Sequence, residues 1–459
     1  MPTTAAIVLA AGLGTRMRSG RAKVLHEVAG RTLLGHILTV LGDLSLHQVV
    51  VVVGHQGDEV AAEARRVAGD DVTIVEQVEQ RGTGHAVLTA LPFVAEGVDR
   101  VLVLPGDTPL VTAEVLASLV ASTSSAGALL TTHLDDPTGY GRLLRDHDGR
   151  AIQIVEHGDA TDDQRLVGEV NAGMYLVARD LLAAAVESLD DGNAQGELYL
   201  TDLVGHAARA GNHLEAVVVD PQPVLGINDR AQLAEAGAIL NRRHLERLMR
   251  DGVTVVDPAT TRVDVTVSCE PDSTLLPGTL LQGTTTVAAG ATVGPYSHLV
   301  DTSVGADAVV RFAVTQGAVI GALATVGPYT YLRPGTVLGR GAKAGGFVEM
   351  KQADVGDGSK VPHLSYIGDA TIGRDVNVGA GTVTCNYDGF NKHRTEIGDG
   401  AFIGSDTMLV APVTIGAGAV TAAGSAIAHD VPDDALAIER SPQVTKEGWA
   451  ADRRERTDG

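Results

Sequence analysis

Over much of the second half of this chain, an aliphatic residue returns every six positions. These positions include Ile320, Val326, Leu332, Leu338, Ile367, Ile372, Val378, Ile397, Ile403, Leu409 and Ile415. A period of six fits neither the two-residue period of a strand nor the 3.6-residue period of a helix. It is typical of a solenoid whose hexapeptides each form one short side of a three-sided coil. The sequence therefore predicts a left-handed parallel β-helix, and the regular aliphatics argue against a Gly-rich disordered tract.

Length, charge and cysteine content restrict the remaining possibilities. With 459 residues, the chain is too long for one ordinary core, so we expect two or three domains. The net charge of −22 argues against a nucleic acid or an anionic membrane as a partner. No apolar run approaches the ~18 residues of a membrane span, and the first residues lack the pattern of a signal peptide. Because only Cys269 and Cys385 are present, we expect a cytoplasmic protein without a disulfide framework or a structural zinc site.

The first half of the chain alternates buried-strand runs with helical stretches. The runs are AAIVLA (5–10), VVVVVG (49–54), VTIVE (72–76), VLVLPGD (101–107) and LEAVVVD (214–220). Near-continuous aliphatic runs fit strands that are covered on both faces, so we predict a mostly parallel sheet in a Rossmann-like α/β domain. The Pro-free segment from Asn228 to Asp251 has apolar residues near helical spacing and predicts a connecting helix capped around Asn228.

These patterns define three segments. We expect a first domain over residues 1–229, a helical linker over 230–250, and a β-helix domain with a C-terminal tail over 251–459. The final string AADRRERTDG is charged and poor in apolar residues, so it is predicted to fray.

A glycine-rich turn directly follows the first strand run, in the string AGLGTRMRSGRAK (11–23). Exposed backbone N–H groups and two cations, Arg16 and Lys23, would converge there on a phosphate. The string is neither a dinucleotide fingerprint nor a P-loop, since the third glycine and the GK[ST] ending are missing. Gly12 and Gly14 alone are equally typical of a simple strand-to-helix turn.

The full string LAAG-x-GTRM with Lys23 behind it resembles the nucleotide-sugar pyrophosphorylases, which join a nucleoside triphosphate to a sugar 1-phosphate and release pyrophosphate. Further strings follow in the expected order: EQRGTGHA (79–86), PGDTPL (105–110), DDPTGYGR (135–142), IVEH (154–157), VNAGMY (170–175), NAQGELYLTD (193–202) and GIND (226–229). Together they resemble the uridyltransferase half of the bifunctional enzymes that make UDP-N-acetylglucosamine.

This resemblance implies a set of nucleotide-sugar contacts. The UDP-N-acetylglucosamine ligands would be Leu9, Ala10, Ala11, Gly12, Lys23, Gln77, Gly82, Thr83, Gly106, Asp107, Gly141, Glu156, Asn171 and Asn228. Gln77 and the Gly82 backbone would read the uracil edge, whereas Gly141, Glu156 and Asn171 would hold the acetylated sugar.

The resemblance also implies the catalytic and metal-binding groups of this half. Arg16 and Lys23 would act in catalysis, and Asp107 and Asn228 would share Mg²⁺. Nucleotidyl transfer needs charge neutralisation and in-line positioning, and a carboxylate opposite a carboxamide oxygen suits a magnesium ion that keeps phosphate and water ligands. Two departures are Leu13, where such enzymes usually carry a polar or basic residue, and Ala22, where they usually carry a proline.

Polar residues on the rim of the β-helix form a second constellation. They lie in LRPG (332–335), GGFVEMKQA (345–353) and SKVPHLSYIGDA (359–370), and a polar excursion, TCNYDGFNKHRTEIG (384–398), interrupts the hexads. Loops that leave a rigid scaffold often carry function. These strings resemble the glucosamine-1-phosphate acetyltransferase half of the same bifunctional enzymes.

On this resemblance, His363 is the general base, because a near-neutral imidazole suits removal of an ammonium proton. The sugar-phosphate contacts would be Arg333, Lys351, Tyr366, Asn377 and Lys392. The acetyl-CoA contacts would be Ala380, Asn386, Tyr387, Ser405, Ala423 and Arg440, with the Ala380 N–H available to an oxyanion. Because such enzymes are trimers, we expect a homotrimer whose acetyl-CoA pocket takes His363 and Arg440 from different subunits.

The two resemblances together imply a bifunctional enzyme. It would acetylate glucosamine 1-phosphate from acetyl-CoA and then transfer uridylyl from UTP to N-acetylglucosamine 1-phosphate, feeding peptidoglycan and other cell-envelope polysaccharides. One alternative is a single-function sugar-1-phosphate nucleotidyltransferase with a regulatory β-helix. Another is a non-catalytic β-helix used for oligomerisation beside an inert α/β domain. The first alternative predicts neither a histidine on the rim nor the long excursion, and the second predicts no intact phosphate loop.

Overall fold

The computed structural model describes residues 2–122 and 124–457. The chain forms two compact units, residues 1–240 and 241–459, and the division falls within one long helix, Arg230–Arg250. Within the described ranges, no helix is both long and apolar enough to cross a membrane.

The first unit is an α/β unit. Its strands are β1 Thr4–Leu9, β2 Glu27–Val28, β3 Arg31–Thr32, β4 Gln48–Val53, β5 Thr73–Glu76, β6 Arg100–Pro105, β7 Gly127–His133, β8 Arg142–Arg145, β9 Ala151–Val155, β10 Glu169–Ala178 and β11 Glu215–Val218. Its α-helices are α1 Leu33–Gly42, α2 Gly57–Ala68, α3 Thr83–Ala90, α4 Ala113–Val120, α5 Asp162–Arg165, α6 Arg179–Glu187, α7 Asp202–Arg209 and α8 Arg230–Arg250. Short 3₁₀ turns cover Thr15–Met17, Lys23–Leu25, Leu91–Phe93 and Gln222–Val224.

The main sheet has the strand order β11-β7-β10-β6-β1-β4-β5, and the β8–β9 hairpin pairs with β10. Strand β1 is parallel to both β4 and β6, whereas β10 is antiparallel to β6 and β7. All five strand runs predicted from the sequence are strands of this sheet, so the mostly parallel, Rossmann-like α/β fold is confirmed.

A crevice is expected between the carboxyl ends of β1 and β6. The chain runs from β1 to β4 and β5 on one side of the sheet and then crosses to β6 on the other side. Such a reversal of strand order opens a ligand-binding crevice outside the carboxyl ends of the two strands. Because Leu9 of β1 pairs with Pro105 of β6, the glycine-rich turn and the PGD turn emerge side by side.

The second unit is a three-sided parallel β-helix. Its first side contains Thr254–Val255, Thr274–Leu275, Thr292–Val293, Val309–Val310, Thr325–Val326, Lys343–Gly346, Lys360–His363, Asn377–Val378, Phe402–Ile403, Val420–Thr421 and Leu436–Ala437. Its second side contains Arg262–Val263, Leu280–Gln282, His298–Val300, Ala313–Gln316, Thr330–Leu332, Val383–Cys385, Met408–Val410 and Ala426–Ile427. The third side contains Ser268–Cys269, Thr286–Val287, Ser303–Val304, Val319–Ile320, Val337–Leu338, Thr395–Ile397 and Val413–Ile415, and the bent strands Glu349–Val355 and Tyr366–Ile372 run from the second side to the third.

The aliphatic residues of the hexads form the core of the β-helix, as the six-residue period predicts. Every residue of the hexad series quoted above is at most 3% exposed. Strands of successive coils pair in parallel, for example Thr274 with Thr292 and Ser268 with Thr286. The β-helix fold is therefore confirmed, and its coils begin before the hexads become regular in the sequence.

One corner of the prism, between the first and second sides, carries a ladder of large side chains. Tyr296, Phe312, Tyr329, Phe347 and Leu364 occupy it in successive coils, all with positive φ. The neighbouring aromatic rings lie 5.9, 5.8 and 5.2 Å apart between centroids. Beyond Leu364 the same corner is formed by small or acidic residues, namely Gly381, Asp406 and Gly424. We call this whole corner, from Tyr296 to Gly424, the ladder corner.

The C-terminal tail differs from its prediction. Within the string predicted to fray lies most of a short helix, α9 Trp449–Glu455, whose residues are all exposed. Arg453 lies 5.3 Å from the centre of the Trp449 ring, so a cation–π contact within one turn supports this helix. Residues 458–459 of the string are outside the described residues.

Two candidate active sites

In the first unit, the glycine-rich turn packs against the lysine that follows it. Gly14 has φ +60°, and a Cβ added there would lie 2.5 Å from the Cβ of Lys23. Only glycine therefore allows the turn to approach Lys23 so closely. The N–H of Ala22, which a proline would lack, donates to the side-chain oxygen of Gln56 and fixes the start of the Lys23 turn.

Lys23 lies at the centre of a polar cluster. Its ammonium forms an ion pair with Asp107 and donates to the Asn228 side-chain oxygen at 3.2 Å. Arg16 donates to the same Asn228 oxygen at 2.8 Å. Asp107 follows β6, and its carbonyl accepts the Ile227 N–H at 2.9 Å, which ties the Asn228 segment to the end of β6.

This cluster fits a hard divalent cation. A carboxylate and a carboxamide oxygen converge on one cationic group, the ammonium of Lys23. Oxygen donors of this kind are preferred by Mg²⁺, which retains water and phosphate ligands and does not need an all-protein cage. No group of three or more His, Cys, Asp or Glu side chains with metal-binding geometry occurs among residues 2–122 and 124–457.

A second group of predicted residues, Gly141, Glu156 and Asn171, also meets. The Asn171 N–H donates to the Gly141 carbonyl at 2.9 Å, and a Cβ on Gly141 would lie 3.2 Å from a Glu156 oxygen. Burial raises the pKa of the Glu156 carboxyl, and a hydrogen bond from Thr201 at 3.1 Å counteracts part of that shift. Glycine at 141 thus allows the backbone to lie close to Ile154 and to the partly desolvated Glu156 carboxyl group.

The remaining predicted nucleotide contacts lie around the start of α3 and in the turns after β1 and β6. Gln77 follows β5 and is 4% exposed, and its side-chain nitrogen donates to the Gly82 carbonyl at 3.1 Å. Thr83 begins α3, and its hydroxyl accepts the Leu200 N–H at 3.2 Å. Leu9, Ala10, Ala11, Gly12 and Gly106 line the turns after β1 and β6, where Gly106 N–H donates to the Leu9 carbonyl at 2.9 Å.

Sequence reasoning missed several residues that hold this site together. Gln80 donates to the Ala11 carbonyl at 2.9 Å, and His85 lies 3.1 Å from the Gln77 side chain. Burial raises the pKa of the Tyr140 hydroxyl, and the charge of Asp107 raises it further. All three lie in strings on which the family resemblance rests. Their place in those strings was the only feature of the sequence that could have indicated a role in this site.

On the β-helix, Arg333 and Lys351 lie next to each other on the second side, and we call this pair and its neighbours the cationic platform. Arg333 follows Thr330–Leu332 and its N–H donates to the Met350 carbonyl, so its side chain lies beside that of Lys351. Arg333 also donates to Glu349 at 3.0 Å. Sequence reasoning missed Glu349, although it stands two residues before Lys351 and strand alternation places both on one face.

Tyr366 extends the platform by one coil. A Cβ on Gly368 would lie 2.5 Å from the Tyr366 hydroxyl and 2.7 Å from the Asn386 side-chain nitrogen, so glycine is required where these two side chains converge. Asn386 in turn donates to Asp369. The platform therefore brings together Arg333, Lys351 and Tyr366 with Asn386, near the start of the excursion.

His363 is exposed at the end of the first side, next to the ladder corner. The same position in the following coils is taken by Ala380, Ser405 and Ala423, and hydrogen bonds from Asp406 N–H to Ala380 O (2.7 Å) and from Gly424 N–H to Ser405 O (2.8 Å) join these coils. Arg440 donates to the Ala423 carbonyl at 2.8 Å. Four of the six predicted acetyl-CoA contacts thus form one strip that begins one coil above His363.

The structure separates the other predicted acetyltransferase residues from this strip. Asn377 lies on the first side, in register with Lys360, and not on the platform. Tyr387 and Lys392 lie in the excursion, where the Lys392 ammonium is 4.7 Å from the centre of the Tyr387 ring. The excursion lengthens its coil, because Asn377 pairs with Phe402 whereas Lys360 pairs with Asn377 in the coil before.

The loop carrying these residues is pinned by its own hydrogen bonds. Asp388 accepts the N–H groups of Asn391 and Phe390 and pairs with His393 at 2.7 Å, and these contacts lower the pKa of its carboxyl. Arg394 then anchors the end of the loop through Thr371 at 2.8 Å.

The fold and the two constellations define a nucleotidyltransferase joined to a hexapeptide-repeat transferase. Residues 6–255 match the family model of the MobA-like NTP transferase domain, and residues 394–429 match that of the bacterial transferase hexapeptide with six repeats.

Relatives similar over almost the whole chain define the family. The bifunctional protein GlmU of Thermobifida fusca is 52% identical over 98% of this chain and 94% of its own length. That of Streptomyces coelicolor is 50% identical over 98% and 94%, and that of Heliobacterium modesticaldum is 47% identical over 97% of both chains. The chain therefore belongs to the bifunctional GlmU family, and it is an enzyme with two transferase activities.

Proposed function

We propose that the cluster around Lys23 is the uridyltransferase centre. UTP would place its phosphates against the glycine-rich turn, with Arg16 and Lys23 neutralising the charge that develops during transfer. The convergence of Arg16, Lys23, Asp107 and Asn228 carries this proposal. N-acetylglucosamine 1-phosphate would be held by Gly141, Glu156 and Asn171, and Gln77 and Gly82 would contact uracil.

The proposed metal at this centre is Mg²⁺, held by Asp107 and Asn228. When bound, it would neutralise phosphate charge and orient the triphosphate. Lys23 contacts an oxygen of each of these two residues, so its ammonium would neutralise phosphate charge beside the cation. The oxygen-only donor set supports magnesium over metals that prefer nitrogen or sulfur ligands.

The β-helix rim is the proposed acetyltransferase centre. Arg333 and Lys351 would hold the phosphate of glucosamine 1-phosphate, and Tyr366 would contact the sugar. His363 would take the ammonium proton, after which the amine attacks the thioester carbonyl. The carbon–sulfur bond then breaks, and CoA leaves as the thiol with the proton that the attacking nitrogen loses. Acetyl-CoA would follow the strip from Ala380 to Ala423, which offers the small side chains and free surface that a long ligand needs.

We further propose that the enzyme is a homotrimer whose acetyltransferase pockets lie between copies. A flat side of a prism cannot enclose a ligand, and the residues assigned to acetylation lie on two sides and in the excursion. The ladder corner supports association, because Tyr296, Tyr329, Phe347 and Leu364 are each more than half exposed. Contiguous exposed apolar side chains of this kind mark interaction surfaces.

The two activities can be assayed in one experiment. Purified protein with glucosamine 1-phosphate, acetyl-CoA, UTP and Mg²⁺ should form UDP-N-acetylglucosamine, releasing one free CoA thiol and one pyrophosphate per product. Omitting acetyl-CoA should stop product formation, and supplying N-acetylglucosamine 1-phosphate should restore it. Nucleotide transfer without any acetyl transfer would instead support a single-function nucleotidyltransferase with a regulatory β-helix.

Shared pockets predict complementation between inactive chains. His363→Ala and Arg440→Ala chains, refolded or co-expressed together, should recover acetyl transfer, because some pockets combine the intact His363 of one copy with the intact Arg440 of another. With random mixing of equal amounts, about a quarter of the pockets would be intact. Light scattering would establish the trimer, and uridyl transfer should be the same in pure and mixed samples.

The absence of any recovery in confirmed mixed trimers would place His363 and Arg440 of one pocket on the same chain. A monomer that acetylates at full rate would contradict the shared pocket altogether.

The domain limits and cellular role complete the proposal. We propose a uridyltransferase domain over 1–229, a helical linker over 230–250 and an acetyltransferase domain over 251–459. The product would serve peptidoglycan and other cell-envelope polysaccharides. A cytoplasmic location is supported by Cys269 and Cys385, which are both free thiols.

A further inference from the structure

The side-chain amide of Gln77 is fixed in one orientation. Its nitrogen faces two acceptors, the Gly82 carbonyl and the Nδ1 of His85, each at 3.1 Å. A carbonyl can only accept, so the group facing Gly82 must be the amide nitrogen. The second hydrogen of that nitrogen points to His85, whose Nδ1 then accepts and whose ring proton sits on Nε2.

This orientation leaves the Gln77 oxygen free. No described residue donates a hydrogen bond to it, and no described residue accepts the N–H of Gly82. The pair therefore offers one acceptor and one donor to a ligand. Uracil presents the complement, a donor at N3–H beside an acceptor at O4, whereas cytosine presents an acceptor at N3 beside a donor amino group.

A flipped amide would reverse this preference at one of the two positions. It would point its NH₂ group at the base, where it repels the N3–H of uracil and suits the N3 of cytosine. It would also set the amide oxygen against the Gly82 carbonyl, and it would require His85 to move its ring proton from Nε2 to Nδ1. The two acceptors together therefore hold the orientation that favours uracil.

We propose that His85 is a positioning residue that sets the choice between UTP and CTP by fixing the Gln77 amide. The proposal rests on the proposed base-reading role of Gln77. His85 itself does not touch the base; it acts by accepting the second hydrogen of the Gln77 nitrogen. Being in the first turn of α3, it is held by the helix that starts at the base site.

The test is the ratio of kcat/KM for UTP to that for CTP. His85→Phe keeps a ring but removes the acceptor, and it should lower the ratio about tenfold, the effect of one hydrogen bond. His85→Leu provides a second variant without an acceptor. His85→Asn places an amide oxygen near the position of Nδ1 and should retain most of the discrimination. A purely structural defect would slow both nucleotides equally and leave the ratio unchanged.

Two further variants make the outcomes distinct. His213→Leu removes a different ring contact in the same unit, to the Ala151 carbonyl at 3.2 Å, and should leave the ratio at the wild-type value. Gln77→Ala tests the base-reading role itself. If Gln77→Ala lowers the ratio and neither His85→Phe nor His85→Leu does, the positioning role is wrong and base reading by Gln77 stands. If Gln77→Ala leaves the ratio unchanged, the base-reading role fails, and the positioning role fails with it.

Discussion

Replacing His363 by alanine is expected to lower acetyl transfer by about 10²–10⁴-fold, the usual contribution of a general base. The imidazole stands exposed one coil below Ala380, where nothing else in the strip can take a proton from the amine. Uridyl transfer to supplied N-acetylglucosamine 1-phosphate should continue at the wild-type rate. Free CoA thiol and pyrophosphate, measured on the same preparation, report the two activities separately.

The pH dependence should distinguish a lost base from a damaged fold. As the pH rises, more of the glucosamine amine is already unprotonated, so the defect of His363→Ala should shrink. The matched control is His298→Ala, because His298 also lies on the β-helix and, among the described residues, its ring is hydrogen-bonded to Gln282 alone, at 2.7 Å. Acetyl transfer that persists unchanged in His363→Ala would exclude the assigned base and direct attention to Tyr366.

Asp107→Ala is expected to lower uridyl transfer by about 10³-fold while acetyl transfer stays near normal. Among the described residues, the variant removes the only carboxylate that pairs with Lys23, and it removes one of the two proposed metal ligands. Charge stabilisation in a preorganised site commonly contributes about 10²–10³-fold to a rate. Acetyl transfer from a thioester needs no metal, so the β-helix serves as the internal control.

Asp107→Asn distinguishes the effect of losing the carboxylate charge from the effect of losing the side chain. It keeps the side-chain volume beside Gly226 but should weaken the apparent affinity for Mg²⁺, measured by metal titration of the initial rate. Asp148→Ala removes an exposed carboxylate that pairs with Arg150 in the same unit, and it should change neither activity. Normal UDP-N-acetylglucosamine production by Asp107→Ala would refute the metal assignment.

The sequence predicted the core elements because their patterns depend on burial. The runs that became β1, β4 and β6 are apolar since most of their residues are buried on both faces of the sheet. The runs that became β5 and β11 form the two edges of the sheet and are only partly buried. The hexads predicted the β-helix equally well, because each inward aliphatic residue is buried by the coils on either side. Patterns of this kind record which side of an element faces the core, and they need no knowledge of distant contacts.

The residues of the two candidate sites could be predicted from the sequence only where they lie in a distinctive sequence motif. The contact between Arg16 and Asn228 joins residues far apart in sequence, and no local pattern indicates it. Glu349 and His85 were missed because each acts beside a better-known neighbour. The helix at Trp449–Glu455 was missed because its charged composition resembles that of a frayed end, whereas one cation–π contact supports it.

The stacking of the coils fixes the distances between residues along the proposed acetyltransferase rim. His363, Ala380, Ser405 and Ala423 occupy equivalent positions on four successive coils, and coils repeat about every 4.8 Å, so the two ends are separated by about 14 Å. The length of the strip along the prism axis can therefore change only by whole coils. Deleting one complete turn would keep every remaining side chain on its side of the prism and shorten only the reach along the axis. A solenoid of this type can be matched to a longer or shorter acyl carrier by changing the number of turns, without redesigning any contact within a turn.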